Sequence, residues 1–160
     1  MSTRVGWGFD AHRLDLNPPL ILGGVTVSES QGVSATSDGD LVAHAVIDAI
    51  LGACVLADIG EHFPSQDPNM TGANSLTLLS RAVDVAQASG WTVTHVDLTV
   101  VAEQVRIAPH RLAIRSNLAE AMGVDVGSVS VKATTTDGLG FIGRGEGIAV
   151  VAVVTVGALP

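Results

Sequence analysis

The segment Ile148 to Leu159 (IAVVAVVTVGAL) constrains the fold of this chain more than any other. Only Thr155 and Gly157 interrupt its apolar character. It is too short to cross a bilayer, which takes about 20 residues as a helix. The density of valine makes it a buried strand, and such a strand needs neighbours. Trp91 to Ala102 and Val129 to Thr136 read as two further strands, and Arg4 to Phe9 as a shorter one. Pro18-Pro19 leads into Leu20-Ile21-Leu22, and Gly23-Gly24 breaks that run before Val25-Thr26-Val27. Residues 28 to 37 are polar and read as loop.

Helical spacing is confined to three places. Leu41 to Leu56 is apolar at helical period and follows Ser37-x-x-Asp40, a helix-start pattern. Asn74 to Ser89 starts at Asn74 or Ser75 and stops at Gly90. Pro109 opens a third helix that Gly123 closes. Between the first two lies a long irregular stretch from Asp58 to Pro68. The order of elements predicts an α+β fold, a mixed α/β layer in which a mixed β-sheet carries helices on one face. With 160 residues and no repeat, one domain spanning 1–160 is expected.

Apolar residues make up 47% of the chain and charged ones only 15%. That balance leaves too little polar surface for a lone domain, so an apolar sheet face covered by another subunit is expected. The net charge of −8 argues against a nucleic-acid partner. No segment calls for a membrane. If the substrate is a phosphate, metal ions and backbone N–H groups must supply the positive charge that the chain as a whole lacks. The single cysteine, Cys54, packs on the first helix and fits a reducing compartment. Met1 to Val5 runs straight into a strand with no signal peptide, which predicts a cytoplasmic protein.

Asp10-Ala11-His12 and His44 are the first chemical constellation. In extended backbone, residues two apart share a face, so Asp10 and His12 can converge. His44 comes from the first turns of the helix. One carboxylate and two imidazoles suit a divalent metal such as zinc, and three protein ligands leave a coordination position open. Asp48, four residues beyond His44, lies on the same helical face and is expected to meet the spare ring nitrogen or lie near it.

The second constellation is Lys132-Ala133-Thr134-Thr135-Thr136-Asp137, followed by glycines at 138, 140, 143, 145 and 147. Hydroxyls and glycine-exposed N–H groups can face phosphate oxygens. Arg144 offers a planar fork. Asp137 is a hard oxygen ligand for Mg²⁺ or Mn²⁺. The stretch lacks the P-loop ending and the Rossmann spacing.

Taken in order, five blocks resemble the 2-C-methyl-D-erythritol 2,4-cyclodiphosphate synthase family of non-mevalonate isoprenoid biosynthesis. They are Gly6-x-Gly-Phe-Asp-x-His12, Ser37-Asp-Gly-Asp-x-x-x-His44, Asp58-Ile-Gly60, Phe63-Pro-x-x-Asp67 and Lys132 through Gly147. The resemblance spans essentially the whole chain. It implies a homotrimer with sites between subunits. The implied reaction converts 4-diphosphocytidyl-2-C-methyl-D-erythritol 2-phosphate to the cyclic diphosphate with release of CMP. It also implies Zn²⁺ on Asp10, His12 and His44, and Mg²⁺ or Mn²⁺ on Asp137. Thr134 and Thr136 would contact phosphate, and Thr135 would stabilise the transition state. Ala102, Glu103, Gln104, Val105, Arg106, Ile107 and Ala108 match the cytidine loop. Asp58, Ile59, Gly60, Phe63, Pro64, Ser65, Gln66 and Asp67 match the methylerythritol side, and Ser37 is a further substrate-binding position. Lys132 is also a substrate-binding position, and Phe141 and Arg144 match a pocket on the threefold axis.

Four positions depart from the family pattern. Thr36 stands where many members carry a histidine that assists the transition state, which predicts slower turnover or compensation from elsewhere. Val105-Arg106 replaces Pro-Lys, keeping the charge. Asp137 replaces the commoner Glu and is one methylene shorter. Two other readings share part of the pattern: a zinc-dependent phosphohydrolase, and a non-catalytic trimer that binds diphosphates. His62, His95 and His110 read as surface or packing residues.

Overall fold

The computed structural model describes residues 2–160. Its core is a five-stranded sheet in the order β4-β1-β7-β5-β6. The strands are β1 (Thr3–Asp15), β4 (Gly32–Val33), β5 (Trp91–Val101), β6 (Val129–Thr134) and β7 (Gly147–Ala158). A separate hairpin pairs β2 (Leu20–Leu22) with β3 (Val25–Ser28). Gly23 and Gly24 both take positive φ at its turn, which glycine accepts without cost. The β5–β6 pair is parallel and the other pairs of the large sheet are antiparallel, so the sheet is mixed.

The apolar C-terminal run is β7, between β1 and β5. Ile148, Val150, Ala152, Val154 and Val156 are fully buried beneath the helices. The opposite face is not covered: Val153 is 37% exposed, and Val5, Trp7 and Phe9 on β1 are exposed. Trp7 and Phe9 stack there, with centroids 6.0 Å apart. One face of β7 is therefore buried by this chain and the other is left open.

The helices are α1 (Leu41–Cys54), α2 (Ile59–His62), α3 (Ser75–Ala88), α4 (Arg111–Met122) and α5 (Gly140–Gly143). α1 ends at Val55, which turns left-handed. Asp40, not Ser37, caps its start. Its carboxylate accepts from the N–H groups of Val42 and Ala43, and also from those of Gly23 and Gly24 at 2.8 and 2.7 Å. One buried side chain thus ties the helix to the hairpin. Burial pushes its carboxyl up, and these N–H groups act against that. Two segments expected to be irregular hold short elements: β4 within residues 28–37, and α2 in the stretch after Asp58. No helix among the described residues is long and apolar enough to cross a membrane.

The packing of α1 on β1 determines where the site forms. A Cβ on Gly6 would lie 1.8 Å from the Ala49 carbonyl oxygen, and one on Gly8 would lie 1.9 Å from that of Ala45. Without side chains there, the helix backbone rests directly on the strand. Residues 6, 8, 10 and 12 share that face. Asp10 and His12 therefore emerge next to the first turns of α1.

Candidate active site

Asp10, His12 and His44 meet at the N-terminal end of α1, with ligand atoms all within 4.8 Å of one another. Asp10 Oδ2 lies 3.2 Å from His12 Nε2 and 3.0 Å from His44 Nδ1. His12 donates its other nitrogen, Nδ1, to the Ser34 carbonyl at 3.0 Å. That leaves Nε2 of His12 facing the carboxylate. A carboxylate oxygen facing imidazole nitrogens at these distances needs a cation or protons among them. Burial raises the Asp10 carboxyl, but hydrogen bonds from His12 and His44 outweigh it and hold the group well below the usual carboxylate range. The same contact raises His12, with burial opposing. The donor set, a carboxylate and two nitrogens each backed by a second hydrogen bond, fits a divalent metal ion.

Asp48 does not bond the His44 ring, though it lies near enough for the two to interact electrostatically. It accepts the Ile59 N–H at 2.8 Å and so anchors the start of α2. The second nitrogen of His44 faces Ser75 Oγ at 2.9 Å and Ser37 Oγ at 3.2 Å. Ser75 carried no functional reading from the sequence. It lies 31 residues from His44, and only the packing of α3 against α1 brings the two together.

The cluster opens into a pocket of about 250 Å³. Thr36, Ser37, Ile59, Gly60, Phe63 and Ser65 line it with His12 and His44. Ala35, Met70 and Leu78 also line it. Their apolar side chains carry no chemical signature in the sequence, so nothing marked them in advance. Asp58, Pro64, Gln66 and Asp67 are not part of this lining. Asp58 caps α2 through the Glu61 N–H, and Asp67 caps the next turn through the Asn69 N–H.

The second constellation lies elsewhere in the chain. Asp10 pairs with Val150, Val150 with Val100, and Val100 with Ala133. Three strand spacings separate the two groups, roughly 14 Å. Asp137 is exposed, with φ 51°, and is not among the residues gathered by the metal-ligating cluster. Its amide bonds the Thr135 hydroxyl at 3.3 Å. Thr136 turns inward: its N–H and hydroxyl both meet Glu103 Oε1, at 2.8 and 3.0 Å. Gly138 N–H joins them at 3.2 Å. Glu103 therefore holds the threonine loop, and these contacts keep its carboxyl below its usual value. In the proposed cytidine loop, Ala102 and Ile107 are buried, while Gln104, Arg106 and Ala108 are exposed. Thr134 is exposed near the end of the sheet. Lys132 is ion-paired with Asp97 at 2.7 Å, and Arg144 with Glu146 at 2.8 Å. Phe141 lines two further cavities at the glycine-rich loop, and Arg144 lines neither.

Residues 3–157 match the model of the YgbB family. The 2-C-methyl-D-erythritol 2,4-cyclodiphosphate synthase of Shewanella piezotolerans is 51% identical over 96% of this chain and 97% of its own. The chain belongs to this synthase family. The family's solved structures share the fold described above. The bifunctional IspDF of Campylobacter jejuni superposes with a TM-score of 0.96 at 41% identity, covering 99% of this chain and 43% of that one. The IspF–CDP complex from Plasmodium falciparum gives 0.86 at 31% identity, covering 99% and 97%.

Proposed function

We propose that this chain cyclises 4-diphosphocytidyl-2-C-methyl-D-erythritol 2-phosphate to 2-C-methyl-D-erythritol 2,4-cyclodiphosphate and releases CMP. The observation that carries this reading is the convergence of Asp10, His12 and His44 on one lip of the pocket lined by Thr36, Ser37 and Phe63, in a chain of the synthase family. We assign Zn²⁺ to that triad. Asp137 would take Mg²⁺ or Mn²⁺, since one protein carboxylate together with substrate phosphates suits such an ion. Bound there, the ions neutralise phosphate charge and polarise the attacked phosphorus.

The chemistry asks little else of the side chains. An oxygen of the 2-phosphate forms a bond to the outer phosphorus of the diphosphate, and the bond from that phosphorus to the CMP oxygen breaks. The nucleophile belongs to the substrate, so the protein positions both ends and compensates charge. Ser37 and the pocket walls hold the methylerythritol end. The exposed hydroxyls of Thr134 and Thr135 face phosphate, and Arg106 and its neighbours receive the nucleotide. Because the triad and the Asp137 loop are separated within one chain, we assign the working site to a homotrimer in which one copy's loop completes the next copy's pocket. A cytoplasmic location fits the single unpaired Cys54.

Phosphorus NMR of the purified protein with substrate, zinc and Mg²⁺ tests the reaction. CMP together with a cyclic diphosphate is expected; CMP with a linear product would show a hydrolase, and zinc uptake without turnover a binding module. His44→Ala should lose zinc and cyclisation together, and an active zinc-free variant would overturn the ligand assignment.

A further inference from the structure

His44 reaches the metal triad through one ring nitrogen, and the other meets a chain of part-buried hydrogen bonds. The Ser75 hydroxyl owns one proton. It donates that proton to Asp38 Oδ1, while the other oxygen of Asp38 accepts the Ser75 backbone N–H at 2.9 Å. Oδ1 also accepts the Asp40 N–H at 3.2 Å, so both oxygens of Asp38 face donors and the Ser75 hydroxyl is the donor of the first bond. With its proton committed, Ser75 Oγ can offer only a lone pair to His44 Nε2 at 2.9 Å. Nε2 must then carry the hydrogen, which leaves Nδ1, 3.0 Å from Asp10, as the ring nitrogen that a metal ion can take. Ser75 is fully buried, so solvent does not compete for the bond. The Ser37 hydroxyl also lies near Nε2, but farther off at 3.2 Å, and its proton is not committed to a carboxylate.

We propose that Asp38 and Ser75 are positioning residues that hold the His44 ring in its Nε2–H tautomer, and so define Nδ1 as the metal-binding atom. The arrangement mirrors that of His12, where the Ser34 carbonyl takes Nδ1 and leaves Nε2 to the metal. The two imidazoles thus bind through opposite nitrogens, each selected by its second partner. This inference rests on the metal reading above and assigns to that centre two residues that touch neither metal nor substrate.

The test combines two measurements. Nitrogen-15 NMR of the histidine rings in metal-free protein, at a pH about two units above the ordinary imidazole value, reports the tautomer of His44. Competition with a chromophoric chelator reports zinc affinity. The wild-type ring should carry its hydrogen on Nε2. Ser75→Ala should lose that preference and bind zinc roughly 10- to 100-fold more weakly. Ser37→Ala should keep the tautomer. A wild-type His44 protonated on Nδ1 overturns the relay, and so does a folded Ser75→Ala protein with unchanged zinc affinity. If Ser75→Ala does not fold, the wild-type ring decides alone. A folded wild-type protein that takes up no metal overturns the metal reading instead, and the ring measurement still decides the relay.

Discussion

Thr36 sets the chemistry of the pocket's polar edge. It lies beside Ser37 and His44 and brings a hydroxyl without a positive charge. A cationic donor aimed at developing phosphate charge is worth far more in a water-poor site than in solution. Thr36→His should therefore raise the rate of CMP release roughly tenfold or more, with zinc content unchanged. An equal or lower rate would mean that the pocket has been rebuilt around threonine. Glu103 acts at the same scale. Its carboxyl is held below its usual value by the N–H groups of Thr136 and Gly138. A depressed acid contributes order that is complete above its unfolded value and is lost as pH falls through the folded one. Amide protection at Thr136 and Gly138 should therefore persist at mildly acidic pH and fall away below the ordinary glutamate range. Hydrogen exchange followed by NMR checks this, and protection that persists well below that range would remove Glu103 from the account.

At the scale of elements, the site depends on α1 lying directly on β1. The glycine pair in Gly6-x-Gly8 announced a close approach, and the approaching group is the backbone of α1 at Ala45 and Ala49. Gly8→Ala drives a Cβ into a helix carbonyl. It should cost about 3 kcal/mol and weaken zinc binding, because His44 moves with the helix. Denaturant unfolding measures the first effect, and an unchanged midpoint would show that α1 can shift freely. The same strand shows what the sequence could and could not reveal. Its apolar half, Arg4 to Phe9, was legible as a strand, yet β1 runs on through Asp10, His12 and Arg13 to Asp15. Functional residues interrupt the pattern of apolar and polar positions there, so a strand that carries a site reads as shorter than it is. The convergence of Asp10, His12 and His44 was legible because its chemistry is unusual. Ser75 was not, because a serine at a helix start reads as a local cap until the fold brings Asp38 and His44 to it.

The whole molecule presents a problem that one chain does not solve. Val5 is 66% exposed, Trp7 62% and Phe9 47%, on the sheet face opposite the helices. An apolar patch of this kind is costly in water, and it is the kind of surface that the homotrimer proposed above would cover. The triad emerges on the helix side of β1, while the Thr135–Asp137 loop follows β6, three strands away. Copies associating through the open face relieve the first problem. The second is relieved if their arrangement sets the loop of one against the pocket of the next. Trp7→Glu places a charge at the centre of that face without touching Asp10, His12 or His44, whose side chains lie on the other side. The variant should sediment as a monomer and still bind zinc, since its three ligands belong to one chain. Turnover should drop roughly a hundredfold or more, because the two halves of the site are no longer held together. Sedimentation, zinc titration and CMP release on the same preparation check all three. A monomeric Trp7→Glu protein with full turnover would place the complete site within one subunit, and a variant that loses zinc with assembly would tie the triad itself to the interface.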